Sequence, residues 1–406
     1  MAREIYFDNN ATTRVLPEVA EAMLPFLTEQ YGNPSSIHRF GSQVGQKITE
    51  ARAQVAELIG AADPVEIIFT SCGTEGDNAA IRGMLEARPD KRHIITTQVE
   101  HPAVLGLCQQ LEKKGYRVTW LSVDQEGGLD LEELRGALTD DTALVSIMWA
   151  NNETGVIFPI EQIGEMVRAK GIPFHVDAVQ AAGKLPINVK ALPIDLLTIS
   201  AHKFHAPKGV GALYVRRGIT FPPFMIGGHQ ERNRRGGTEN VASIIGMGLA
   251  AKIAHSRLAE DATQVAALRD RLESLLLESC PDSHVNGGRA RLPNSLNISF
   301  RYLEGESILV LLDQQGICAS TGSACTAGSS EPSHVLRAMK VPPDWLQGAV
   351  RFSLSRFNTE DDVLYVNEKV PSIVQRLQGL SALGKLAKER PQPERGAASG
   401  TIGLRG

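Results

Sequence analysis

Leu196-Leu197-Thr198-Ile199-Ser200-Ala201-His202-Lys203 is the stretch on which the reading of the fold turns. Leu196 to Ile199 are apolar or β-branched with no polar alternation, the pattern of a strand covered on both faces. The run then meets Ser, His and Lys and enters a Pro/Gly turn, Ala206-Pro207-Lys208-Gly209. Reactive side chains at the carboxyl end of a buried strand are what an open α/β sheet presents to a ligand.

Working outward, strand-like runs recur at Glu66–Thr70, His93–Thr97, Arg117–Ser122, Ala143–Trp149, Pro173–Asp177 and Gly211–Val215. Helical spacing fills several gaps between them: Gln43–Ile59, Gly76–Glu86, Pro102–Lys114 and Ile160–Lys170. The alternation predicts an α/β fold with a mainly parallel, doubly wound sheet. A long helical pattern, Val241–Glu278, leads to strands Ser295–Phe300 and Ala349–Ser353 and helices near Glu304–Gln315 and Glu360–Leu377. We expect a large domain over 15–255, a smaller α+β domain from 1–14 and 256–378, and a disordered tail over 379–406, rich in Lys, Glu, Pro, Gly and Ser.

Composition narrows the function. The chain has 406 residues, 42% of them hydrophobic, and a net charge of −4. That balance argues against a nucleic-acid binder. No apolar run approaches the ~18 residues of a membrane span, and the N-terminus lacks a signal-peptide pattern, so a cytoplasmic location is expected. Five cysteines without Cys-x-x-Cys spacing argue against zinc and disulfides, and raise the question of one reactive thiol. A small basic cluster, Arg232, Arg234 and Arg235, reads either as a solvated loop or as a local anion site.

Four segments carry candidate chemistry. Thr70-Ser71-Cys72-Gly73-Thr74-Glu75-Gly76 follows a strand and opens a helix, where free backbone N–H groups at Gly73 and Thr74 suit a phosphate. Asp177 ends a buried strand and needs a partner; the ring nitrogen of pyridoxal phosphate supplies one, although a structural aspartate capping the next helix is the other reading. Ser200 and His202 can bind a phosphate while Lys203 forms a Schiff base; Lys208 is the rival lysine. Gly316 to Pro332 is a long small-residue segment with Cys325 in its middle, whereas Cys72 and Cys318 read as structural.

Further strings join these in order: Tyr6-Phe7-Asp8-Asn9-Asn10-Ala11-Thr12-Thr13, Gly32-Asn33-Pro34-Ser35-Ser36, Glu100-His101-Pro102, Asn151-Asn152-Glu153-Thr154-Gly155, Gly322-Ser323-Ala324-Cys325 and Arg351-Phe352-Ser353-Leu354. Together, from Tyr6 to about Val374, the chain resembles the cysteine desulfurases of the NifS/IscS type, fold-type I pyridoxal-phosphate enzymes with a seven-stranded sheet. The resemblance implies Gly73, Thr74, Ser200 and His202 as phosphate ligands and Lys203 as the Schiff-base lysine. It places Asp177 at the ring nitrogen, Gln180 at the ring hydroxyl and His101 stacked on the ring. Asn152 and Arg351 would hold the substrate, Arg351 through its α-carboxylate. Thr238, in Arg235-Gly236-Gly237-Thr238, would reach the phosphate of a second subunit, giving the basic cluster a role in a homodimer.

The implied reaction takes sulfur from L-cysteine, giving L-alanine and a persulfide on Cys325, with His101 as the candidate base for the thiol. An iron–sulfur scaffold protein is the implied acceptor, and Cys325 the one candidate metal ligand, in a transient cluster. Cys72, Gly236-Gly237-Thr238-Glu239-Asn240 and Ser330-Glu331-Pro332-Ser333-His334 lean toward the nitrogen-fixation branch. A selenocysteine lyase, another class-V aminotransferase or a non-catalytic cluster-assembly partner are the alternatives.

Overall fold

The computed structural model describes residues 4–288, 290–322 and 332–380. A two-residue strand, β1 (Ile5–Tyr6), precedes the main sheet. That sheet is built from β2 (Ile67–Thr70), β3 (His93–Thr97), β4 (Arg117–Leu121), β5 (Thr142–Met148), β6 (Phe174–Asp177), β7 (Leu196–Ser200) and β8 (Gly211–Val215). Its order is β2-β8-β7-β6-β5-β3-β4; only β8 runs against its neighbours. The mainly parallel seven-stranded sheet expected from the sequence is the one observed.

Parallel strands require crossovers, and these cover both faces. On one face the helix Gly73–Ala87 buries Ala80, Ile81 and Met84 with Ile68, Ile94, Leu144 and Leu213. On the other, Ile48 and Val55 of Arg39–Leu58 join Ile163, Val176 and Phe174. Gly76 is fixed by this packing: a Cβ there would lie 2.6 Å from the Thr198 side chain.

The helix Val241–Ser279 is 39 residues long, about 58 Å at ~1.5 Å per residue. Its first half packs Ile244, Met247 and Ala251 into the sheet's core, and its second half packs Val265, Leu272 and Leu276 into another. That second core gathers β9 (Ser283–Val285), β10 (Ser295–Phe300), β11 (Ile317–Cys318) and β12 (Ala349–Ser353) with the helix Glu360–Leu380. β1 belongs to it as well: it pairs with β11, and Phe7 packs edge-on to Phe352 with ring centroids 6.4 Å apart. Residues 8–13 then cross to the main sheet, where Thr13 N–H donates to the His202 carbonyl. The site lies at that crossing.

Candidate active site

Five strands deliver their carboxyl ends to one cavity of about 180 Å³. β2 leads to Gly73 and Thr74, β3 to His101, β5 to Asn152, β6 to Asp177 and Gln180, and β7 to Ser200, His202 and Lys203. Arg351, from β12, closes it from the second core. Thr238 is exposed and absent from this lining; Cys325 lies outside the described residues.

The floor is set by strand alternation. His175 and Asp177, two apart on β6, share the face on which the helix Gly73–Ala87 packs. Asp177 accepts the Val179 N–H at 2.9 Å, which caps a turn; no helix lies between β6 and β7, so it does not cap a following helix. Burial pushes its carboxyl up to about 6, against the pull of that hydrogen bond and of the Lys203 charge. Asp77 and Glu100 are buried nearby, Asp77 driven well above the carboxylate range by burial and by the Asp177 charge. His175 bridges Ser146 Oγ (2.8 Å) and Thr198 Oγ1 (3.0 Å), and burial lowers it to about 3.

Glu100 carries a consequence for stability. Its Oε1 accepts from Thr97 Oγ1 and Met148 N, and burial raises its pKa to about 8. The folded apoprotein thus keeps a proton that the unfolded chain releases near 4.5, so stability falls as pH rises through this window. In urea titrations, Glu100→Gln apoprotein should match wild type at pH 4.5 and gain on it progressively up to pH 8. Parallel curves would refute a buried, protonated Glu100.

At the phosphate end, the helix Gly73–Ala87 starts without a side-chain cap, which leaves its first-turn N–H groups to a ligand. Ser200 Oγ is buried with no partner among the described residues, an orphan that a phosphate oxygen satisfies. A Cβ on Gly73 would sit 2.8 Å from Val179 and fill this corner. The residues present therefore fit pyridoxal phosphate. His202 Nδ1 lies 3.2 Å from Thr12 Oγ1, and its pKa falls to about 4 through burial and the charges of Lys203, Lys208 and Lys184.

Lys203 sits in the short 3₁₀ turn after β7, where Nζ donates to the Asn10 and Ala11 carbonyls, the latter at 2.9 Å. Lys208 is exposed and outside the cavity. His101 caps the helix Pro102–Lys113, with Nδ1 accepting the Ala103 N–H at 3.2 Å. Burial, with the Lys203 and His334 charges, lowers its pKa to about 4, so the ring is neutral at pH 7 with its proton on Nε2. Accepting a proton at Nε2 requires the other tautomer, at the loss of one capping bond, roughly 1–3 kcal/mol.

Arg351 is 1% exposed. Its Nη1 donates to the Asn152 carbonyl at 2.9 Å and its Nη2 to Asp8 Oδ1 at 2.6 Å, while Nε has no partner among the described residues. A guanidinium fixed this way still has one edge for a carboxylate. Its backbone pairs with Ser320, five residues before Cys325. Glu153 lies beside both stems of the cysteine segment: Ser333 Oγ donates to it at 2.5 Å, and Gly322 sits close enough that an added Cβ would lie 3.1 Å from its carboxylate.

The basic cluster is spent within the chain. Arg232 donates to the Val65 and Ile67 carbonyls, Arg234 to the Val65 carbonyl, and Arg235 forks onto Glu75 at 2.9 and 3.1 Å. These bonds anchor the segment before Thr238. Sequence reasoning also missed Asp77, and Cys72, read as structural, lines the cavity.

The aminotransferase class-V pattern matches residues 5–366. The chain belongs to the class-V aminotransferase family. Pyridoxal phosphate is the cofactor of this class-V protein. The cysteine desulfurase of Trichormus azollae is 61% identical over 378 residues, 93% of this chain and 94% of that one. The cysteine desulfurase NifS of Azotobacter vinelandii is 55% identical over 379 residues, with the same coverage. Among solved structures, a NifS-like protein superposes with a TM-score of 0.87 at 42% identity, over 92% of this chain and all of its own. A structure titled SspA in complex with cysteine gives 0.78 at 34%, over 87% of this chain and all of that one.

Proposed function

We propose that the chain is a pyridoxal-phosphate-dependent cysteine desulfurase that converts L-cysteine to L-alanine and leaves the sulfur as a persulfide on Cys325. The observation that carries this is Lys203 and Asp177 in one cavity with a buried, half-engaged Arg351.

When bound, the cofactor supplies the electron sink that makes the substrate Cα acidic. Gly73, Thr74, Ser200 and His202 hold its phosphate, Asp177 offers a carboxylate to its ring nitrogen, Gln180 donates to its ring hydroxyl, and His101 covers the ring. Arg351 and Asn152 seat the substrate with Cα toward Lys203, whose Nζ takes the Cα proton. Cys325 attacks the substrate sulfur: the C–S bond breaks, an S–S bond forms, and the thiol proton is made good at Cβ of alanine. His101 receives that thiol proton in its minor tautomer. Cys325 lies three positions beyond Gly322, a reach of about 10 Å.

Thr238 serves a neighbouring subunit in a homodimer. Tyr31, Ile37, Phe40 and Ile226, large apolar side chains exposed on this chain, support such an association. The persulfide passes to a scaffold protein for iron–sulfur cluster assembly, in a nitrogen-fixation setting. No described helix is long and apolar enough to cross a membrane.

The test pairs a spectrum with product analysis. Wild type and Cys325→Ala should both show the visible band of bound pyridoxal phosphate, and only wild type should give equimolar alanine and sulfide from L-cysteine with a reductant. Sulfide release surviving in Cys325→Ala would overturn the persulfide route. A requirement for a keto acid would point to an aminotransferase.

A further inference from the structure

Gln180 and Lys184 lie in the turn that follows β6. The Gln180 amide is 5% exposed and lines the cavity. Its Nε2 donates to the Asn10 carbonyl at 3.0 Å, and that carbonyl also receives Lys203 Nζ. Its Oε1 accepts from Lys184 Nζ at 3.3 Å, and Lys184 donates to the Gln180 carbonyl at 3.2 Å. Gly183, with φ +74°, makes the turn possible: a Cβ there would strike Phe204 at 2.7 Å. Lys184 then runs into a second, smaller cavity of about 50 Å³ behind Lys203.

We propose that Lys184 is a positioning residue, fixing the Gln180 amide so that it presents a donor, never an acceptor, to the cofactor's ring hydroxyl. The two ends of a primary amide have nearly the same shape, and only their partners decide which way they point. Here an obligate acceptor faces Nε2 and an amine faces Oε1. Reversing the amide would set carbonyl against carbonyl and NH₂ against amine, losing two hydrogen bonds at once. The remaining Gln180 N–H is therefore committed to the cavity, where it selects a ligand oxygen carrying electron density. Burial, with the Lys203 and Arg351 charges, brings Lys184 down to about 7. As an ammonium Lys184 offers Oε1 donors only and so fixes the amide; above that value its lone pair can also accept, and the Asn10 carbonyl alone keeps the orientation.

The inference rests on the reading of Gln180 as the ring-hydroxyl donor, and one binding experiment separates the two. Full-length apoprotein is titrated with pyridoxal phosphate and with 3-deoxypyridoxal phosphate, which lacks the ring hydroxyl, and the ratio of the two Kd values is taken. One retained hydrogen bond predicts a preference of about tenfold for pyridoxal phosphate in wild type. Gln180→Leu should erase it. Lys184→Met should cut it to about threefold or less, with melting temperature as the check on folding. Lys184→Arg, whose extra bulk the rear cavity accepts, should restore it, and carries the test if the methionine variant does not fold. A full preference in folded Lys184→Met, or its loss in folded Lys184→Arg, overturns the role of Lys184. A full preference in Gln180→Leu overturns the underlying reading of Gln180, and this inference with it.

Discussion

Lys203→Ala lowers the rate of alanine formation from L-cysteine by at least the 10²–10⁴-fold, roughly, that a positioned proton-transfer group contributes, and leaves the protein folded. The two halves of that expectation come from different atoms. The activity resides in Nζ, placed at the carboxyl end of β7 in the same cavity as Asp177. The contribution to stability is small, because Nζ donates to the Asn10 and Ala11 carbonyls at the cavity wall, where water can replace it. Steady-state kinetics beside a thermal melt measure both. The exposed Lys208, substituted the same way, should leave the rate unchanged. Retained turnover in Lys203→Ala would remove the lysine from the mechanism.

Arg351→Ala should be damaged twice. Without the guanidinium the substrate carboxylate loses two charge-assisted hydrogen bonds, and KM for L-cysteine rises by about 10²–10³-fold. The same deletion leaves Asp8, whose side chain is 18% exposed, without the cation 2.6 Å away. Removing one partner of a buried ion pair costs about 3–5 kcal/mol. Arg351→Lys separates the effects: an ammonium can still neutralise Asp8 but cannot fork onto a carboxylate. Stability should return in that variant while KM stays high. If both recover together, Arg351 acts through charge alone and the bidentate seat is wrong.

Much of this molecule was legible in its sequence because its strands are buried on both faces. His93–Thr97, Leu196–Ser200 and Gly211–Val215 were read to the residue, since a continuous apolar run bounded by polar turns leaves little freedom. The start of the helix Arg39–Leu58 was placed four residues late: Arg39-Phe40-Gly41-Ser42 carries no apolar period, and the helix is capped by His38 Nδ1. The pairing of β1 with β11 left no local signal, two residues each and 312 apart in register, Ile5 against Ile317. The site was legible as far as each strand end announced its own chemistry. What stayed hidden were the partnerships: Asp8 with Arg351, Lys184 with Gln180, the three arginines with backbone carbonyls and Glu75. None leaves a local pattern, because each is made by topology between residues ordinary in their own neighbourhoods.

The segment from Tyr6 to Thr13 has a consequence for how the protein is made. It leaves the ribosome early, yet Asp8 must meet Arg351, 343 residues later in the chain. At about 5–20 residues per second that is roughly 17–70 s of translation. Once β8 has emerged, for the rest of that interval the nascent chain can complete its main sheet and display Lys203, with the wall of the pocket still unmade. A chain ending before Arg351 thus carries the reactive lysine without the wall that Arg351 supplies.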